Sequence, residues 1–239
     1  MPDDRLLRIL TRLAGDAHGK PPTTRLCVVC AEVTKMTGAG IMLMFDDHPQ
    51  GSVCTTNDVS ATIEELQYTL GEGPCVDAFR HNRPVVEPDL ADPAVTRWAA
   101  FSEQAVTAGA RAVFGFPVTV GSTHLGALNL YRDRPGALSA DQHADALIVA
   151  GVAARSILGM QAGADPGAIG AELEVGTNFR FAVHQAAGMI AVQLGVGVDE
   201  ALVRLRAHAF SHDRNLIDVA HDVIERRLRF DDDDNGYAP

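Results

Sequence analysis

The run Ala-Val-Phe-Gly-Phe-Pro-Val-Thr-Val at 112–120, the turn Gly-Ser-Thr-His at 121–124 and the run Leu-Gly-Ala-Leu-Asn-Leu-Tyr-Arg at 125–132 decide the fold. Two β-prone segments joined by a short polar turn predict an antiparallel hairpin. A long apolar helix is expected at 139–160, with Asp141 in its first turn where a carboxylate favours the helix dipole. Working towards the start of the chain, 84–87 reads as a short strand and 99–108 as a helix. Residues 61–70 and 76–80 read as two helices around Gly-Glu-Gly-Pro-Cys. Apolar 41–45, turn-rich 46–51 and β-prone 52–56 form a second hairpin. Leu6, Leu7, Leu10 and Leu13 mark an amphipathic first helix, and the helix after Pro-Pro-Thr-Thr at 21–24 carries Leu26, Val29, Cys30 and Val33. Helices on a mostly antiparallel sheet make an α+β domain.

Downstream the pattern changes. Residues 161–170 hold Gly, Ala, Asp and Pro with little to bury, so a linker is expected at 161–172 between a domain at 1–160 and one at 173–230. From 179 to 228 the periodicity is purely helical, with helices at 179–194, 198–211 and 215–228, an all-α three-helix bundle. The first of these is apolar nearly all round. A small bundle covers only one side, so the stripe Val183, Ala187, Ile190 and Leu194, or the stripe beside it, is expected to face a second chain in a homodimer. Asn215 reads as an N-cap, with Asp218 completing a capping box. Residues 231–239, opening with four aspartates, read as an acidic disordered tail.

The 239 residues therefore divide into two modules, and 46% hydrophobic with 21% charged residues excludes a mostly disordered chain. The net charge of −11 argues against a chain that coats nucleic acid indiscriminately. Its distribution is uneven: thirteen basic against eighteen acidic residues lie in 1–160, but six arginines against four acids lie in 201–229. Lys20 and Lys35 are the only lysines, and Lys20 precedes Pro21, so no phosphate-cradling P-loop is present. A receiver domain, which needs a late lysine, is excluded too. No apolar run reaches the roughly 20 residues of a membrane span, and the acidic start does not suit a signal peptide, so a cytoplasmic protein is expected.

In a reducing compartment Cys27, Cys30, Cys54 and Cys75 are expected to remain thiols. Cys27 and Cys30 form a C-x-x-C inside a helix, where they are neighbours on one face. The four would bind a metal only if the fold gathered them. The histidines outside the bundle show no ligand spacing, and no cofactor is expected.

Val-His-Gln-Ala-Ala-Gly-Met-Ile-Ala at 183–191, Glu-Ala-Leu-Val-Arg-Leu-Arg-Ala-His-Ala at 200–209 and Leu-Ile-Asp-Val-Ala at 216–220 together resemble the ANTAR domain. The resemblance implies a dimeric three-helix module that binds paired leader stem-loops with hexanucleotide loops, controlling a terminator or access to a translation start. It implies RNA contacts at Gln185, Arg204, Arg206, His208, His212, Arg214 and Asn215, and small packing residues at Ala186, Gly188 and Ala220. Ala187 stands where many members carry a lysine.

Leu-Gly-Glu-Gly-Pro-Cys-Val-Asp-Ala at 70–78, Phe-Pro-Val at 116–118 and Leu-Gly-Ala-Leu-Asn-Leu-Tyr at 125–131 resemble the GAF domain, a small-molecule sensor fold. The pocket that this resemblance implies would draw, by location, on Tyr68, Glu72, Cys75, Asp77, Trp98, Phe116, Asn129 and Tyr131; the alternative for most of them is structural, with Phe116 and Tyr131 in the core, Glu72 in a turn and Asp77 capping a short helix. A signal-responsive RNA-binding regulator without enzymatic activity is the leading reading. The alternatives are a thiol-based GAF reductase with Cys75 as nucleophile and a dimeric scaffold for a protein partner.

Overall fold

The computed structural model describes residues 2–14, 22–45, 48–163, 182–212 and 214–230. The chain divides into two compact units, Met1–Ile169 and Gly170–Pro239. The expected tail at 231–239 and linker residues 164–172 lie outside the described residues.

In the first unit, α1 (Pro2–Ala14) and α2 (Pro22–Thr34) precede the hairpin β1 (Gly38–Phe45) and β2 (His48–Thr55). Then come α3 (Asp58–Leu70), α4 (Pro74–His81), β3 (Val85–Glu87), α5 (Ala99–Thr107), β4 (Ala112–Val120), β5 (Thr123–Arg132) and α6 (Ala140–Gly163). The strands form one antiparallel sheet in the order β2-β1-β5-β4-β3. The hairpin turn at 46–51 is shorter than the sequence predicts, because the β2 backbone starts pairing at His48, opposite Phe45. The polar turn before β5 likewise tightens to Gly121-Ser122, where Gly121 takes φ 59°.

Alternation along the strands sends successive side chains to opposite faces. Phe114, Phe116, Val118, Leu128 and Leu130 pack in a core with Leu26 and Cys30 of α2 and with Val149 and Ala153 of α6. Val113 and Tyr131 pack on the other side with Ile63 of α3 and Phe101 of α5. Burying each such large side chain stabilises the fold by about 1.5–3 kcal/mol, so the two faces hold a layer of helices each. The long helix α6 starts on a capping box in which Ser139 Oγ accepts from Gln142 N at 3.2 Å and Gln142 Oε1 accepts from Ser139 N at 3.0 Å. It runs on to Gly163, into the stretch expected to be linker.

In the second unit, α7 (Ala182–Leu194) meets α8 (Val198–Ser211) at a bend of 105°, where Gly195 has φ 65°. α9 (Leu216–Ile224) follows, capped by Asn215 Oδ1, which accepts from Ile217 N at 2.9 Å. Asp218 completes no capping box; the cap is Asn215 alone. The helix stops four residues earlier than its periodicity predicts, because Arg226 turns left-handed at φ 60° and the next amides fold back on the Asp222 carbonyl. Ala201, Leu202, Leu205 and Ala209 of α8 and Leu216, Val219, Ala220 and Val223 of α9 are buried, as their spacing predicts.

Candidate functional sites

Under α3 and α4 the first unit buries a polar cluster. The Asn57–Ser60 capping box starts α3, Gly71 at φ 65° stops it, and Gly73 at φ 131° turns the chain so that Pro74 opens α4. This hinge sets Gln67 Oε1 to accept from Cys75 N at 2.7 Å. From the sheet, Asn129 of β5 lies between Gly40 of β1 and Gly115 of β4, its partners in register. A Cβ on Gly40 would stand 2.7 Å from Glu64 Oε1, and one on Gly115 would stand 2.4 Å from the Pro74 carbonyl oxygen. The glycines therefore let the buried Glu64 carboxylate and the first turn of α4 press onto the sheet on either side of Asn129. Gln67 is 0% and Asn129 1% exposed, and Gln67 Nε2 and both amide atoms of Asn129 have no hydrogen-bond partner among the described residues.

Of the residues implied by sequence, Cys75 and Asn129 belong to this cluster, and Tyr68 is buried on α3. Glu72, Asp77 and Trp98 brace its outer edge. Glu72 Oε1 accepts from Phe101 N at 3.0 Å, Trp98 Nε1 donates to Asp77 Oδ2 at 3.0 Å, and the Arg97 guanidinium lies 4.1 Å over the indole. Tyr131 donates its hydroxyl to Asn57 Oδ1 at 3.0 Å, and burial raises its pKa. Phe116 is a correction: it faces α2 and α6, on the opposite side of the sheet, with His143 edge-on at 5.3 Å. Glu64 and Gln67 escaped the sequence reading. Their signal was two polar residues, three apart, on the α3 face shared with Ile63.

The cysteines do not remain four thiols. Cys27 on α2 and Cys54 on β2 form a disulfide, a pairing across strand and helix that linear spacing does not reveal. Cys30 is buried in the same layer, its thiol pushed up to about 12 by burial. Cys75 is buried too, and its thiol is held well above its ordinary value by burial first and the Glu64 charge second. The four sulfurs do not converge. A buried thiol that stays protonated is a poor nucleophile.

In the second unit the residues implied as RNA contacts fall in two places. On α8 and the turn after it, Arg204 pairs with Glu200 at 2.9 Å and Arg214 with Asp222 at 2.6 Å. His208 stacks on His212 at 4.1 Å, Arg206 is half-buried on the same helix, and the Asn215 side chain is spent on its cap. Asp222 also accepts from Arg227, and the Arg214 and Arg227 guanidinium groups hold its carboxyl below the usual range. Gln185 lies apart on α7, where it lines a groove of about 600 Å³ with Gly188, Met189, Val192, Gln193, Arg226 and Arg229.

Of the two α7 stripes expected at a dimer interface, the named one is covered inside its own unit. Val183, Ala187 and Ile190 are fully buried within the single chain, whose compact second unit also holds the buried stripes of α8 and α9. The face left open is the groove face, with Val192 84% exposed. Ala186 and Ala220 are buried, whereas a Cβ on Gly188 would meet nothing within 4 Å.

A sensor-like α+β unit with a buried polar cluster, followed by a helical unit with an arginine-rimmed groove, defines the class. The GAF domain model matches residues 23–157 and the ANTAR domain model residues 172–224, so the chain belongs to the GAF family and carries an ANTAR domain after it. Comparison with curated proteins gives no match. The GAF domain of an Acinetobacter phosphoenolpyruvate-protein phosphotransferase is similar at 14% identity and TM-score 0.50, over 68% of this chain and 96% of its own. That of the Coxiella burnetii phosphoenolpyruvate-protein phosphotransferase is similar at 15% identity and TM-score 0.50, over 67% and 95%. At these identities the likeness shows the fold alone. Among the described residues no single helix is long and apolar enough to cross a membrane.

Proposed function

We propose that this protein is a signal-responsive, RNA-binding regulator, in which the GAF unit takes up a small molecule and the ANTAR unit binds dual stem-loops in messenger leaders. The observation that carries the reading is the order of the two family matches along one chain. That architecture points to a regulator and not an enzyme. The buried, protonated Cys75 thiol speaks against a thiol reductase. RNA binding would control transcription termination or translation initiation, with the protein working in the cytoplasm as a homodimer. Leu7 and Leu10, exposed on α1, are apolar side chains that a second copy would cover.

The ligand class follows from the cluster's chemistry. Gln67 Nε2 offers a donor and Asn129 a donor and an acceptor, none of them partnered among the described residues. Unmet buried amides cost about 1–3 kcal/mol each, so a compact polar ligand bearing both donors and acceptors, such as an amide or nitrogen heterocycle, offsets that cost on binding. Fluorescence anisotropy with a dual-hexaloop leader RNA tests the output function. Salt-dependent binding that weakens in the double variant Arg204→Ala plus Arg214→Ala supports it, and binding indifferent to both salt and those arginines refutes it.

A further inference from the structure

We propose that the α7 groove seats one unstacked loop nucleotide of the RNA, its base against Gly188, Met189 and Val192 and its flanking phosphates on Arg226 and Arg229. The inference rests on the RNA-binding reading above and adds a site that the motif resemblance did not supply. At about 600 Å³ the groove is in the size range of small-ligand sites. Its floor is apolar and its rim carries Gln185, Gln193 and two guanidinium groups, the combination with which proteins hold splayed-out RNA bases and their phosphates.

Three independent features set this groove apart. Arg204, Arg214 and Arg227 are each neutralised by a carboxylate, whereas Arg226 and Arg229 have no acidic partner among the described residues. Their charges are open to an external anion at the groove. Arg226 adopts φ 60°, the left-handed conformation that glycine or asparagine ordinarily takes after a helix, so an arginine there is held against its backbone preference. Gly188 sits inside α7 with open space where its Cβ would be, so packing does not require a glycine; its smoothness serves whatever approaches from outside.

Arg229 is also fixed in place. The next residue, Phe230, donates its amide to Gln193 Oε1 at 2.9 Å and buries its ring beside His208 at 5.2 Å, which clamps the segment after α9 onto α7.

The test uses the full chain, a synthetic RNA with two six-nucleotide hairpin loops, and the variants Arg226→Gly and Gly188→Leu. Arg226→Gly removes the guanidinium while giving the backbone its preferred residue. Gly188→Leu extends a side chain into the groove from a good helix former whose Cβ has nothing within 4 Å. Both should melt at or above the wild-type temperature, and each should weaken RNA binding about tenfold. Arg226→Gly should also lower the salt slope by roughly 0.7, the loss of one phosphate contact on a single strand. Affinity within about twofold of wild type in both variants overturns the inference while the RNA-binding reading stands. A change of self-association in sedimentation with unchanged RNA affinity also overturns it, by giving the groove to a second copy of the chain. Failure of the wild type to bind any such RNA removes the underlying reading, a result distinct from either.

Discussion

Gln67 Oε1 accepts the Cys75 backbone amide at 2.7 Å, so one side chain of α3 holds the first turn of α4 over the centre of the sheet. Replacing Gln67 by leucine leaves that buried N–H unmet, at a cost of about 1–3 kcal/mol. Thermal unfolding should show the GAF unit melting roughly 2–10 °C lower. Gln67→Glu, which keeps the acceptor, should recover part of the loss. An unchanged melting temperature in Gln67→Leu would show that the bond is not a support of the fold.

Gly115 is predicted to tolerate no side chain. The Cβ of Gly115→Ala would stand 2.4 Å from the Pro74 carbonyl oxygen, a backbone atom that moves only with α4 as a whole. Overpacking of this kind costs about 1–3 kcal/mol, and urea unfolding should move to lower denaturant. Gly121→Asn serves as the control: its left-handed turn faces open space and asparagine accepts that conformation, so it should change stability far less.

Thiol counting separates the four cysteines. In the native protein, without reductant, an exposed-thiol reagent should label neither Cys30 nor Cys75, both buried, nor the bonded pair Cys27–Cys54. Denaturant should release two thiols, and reductant with denaturant four. The bond closes a chain separation of 27 residues, so the Cys27→Ala plus Cys54→Ala variant should be less stable by about 2–4 kcal/mol. Four thiols in the unreduced, denatured protein would show that the pair is not joined.

Acid should loosen the second unit through Asp222. Its carboxyl is held below the ordinary value of 3.8 by hydrogen bonds from Arg214 and then Arg227. The folded state therefore binds that proton less readily than the unfolded chain. The stabilisation is present in full above the unfolded carboxyl range and is lost as pH falls below about 4 through the depressed value. Asp222→Asn should lower stability at neutral pH and flatten this part of the acid-unfolding curve. A curve that keeps its shape would assign the acid sensitivity to other carboxylates.

Much of this architecture is legible in the residues. The hairpin of β4 and β5 follows from alternating runs around Gly121, and the buried stripes of α8 and α9 follow from their spacing. Helix ends were harder. The end of α9 turns on Arg226 adopting a conformation that the residue type does not favour, so periodicity overruns it to 228. The candidate pocket was half legible. Cys75 and Asn129 stand in recognisable motifs, but Glu64 and Gln67 join the cluster only because Gly40 and Gly73 let those side chains close against the sheet and the turn.

By itself the sequence determined the two modules, their fold classes, the uneven charge and the family resemblance, because these depend on periodicity and composition within short windows. Tertiary structure alone decided which cysteines meet, which face of the sheet Phe116 takes, and which arginines are neutralised. Those outcomes depend on residues far apart in the chain and on register, where a shift of one position sends a side chain to the other face. The local excess of arginine in the second unit was visible from the start. That Arg226 and Arg229 lie beside an open helix face, without a carboxylate partner among the described residues, emerged only when the chain after α9 folded back onto α7.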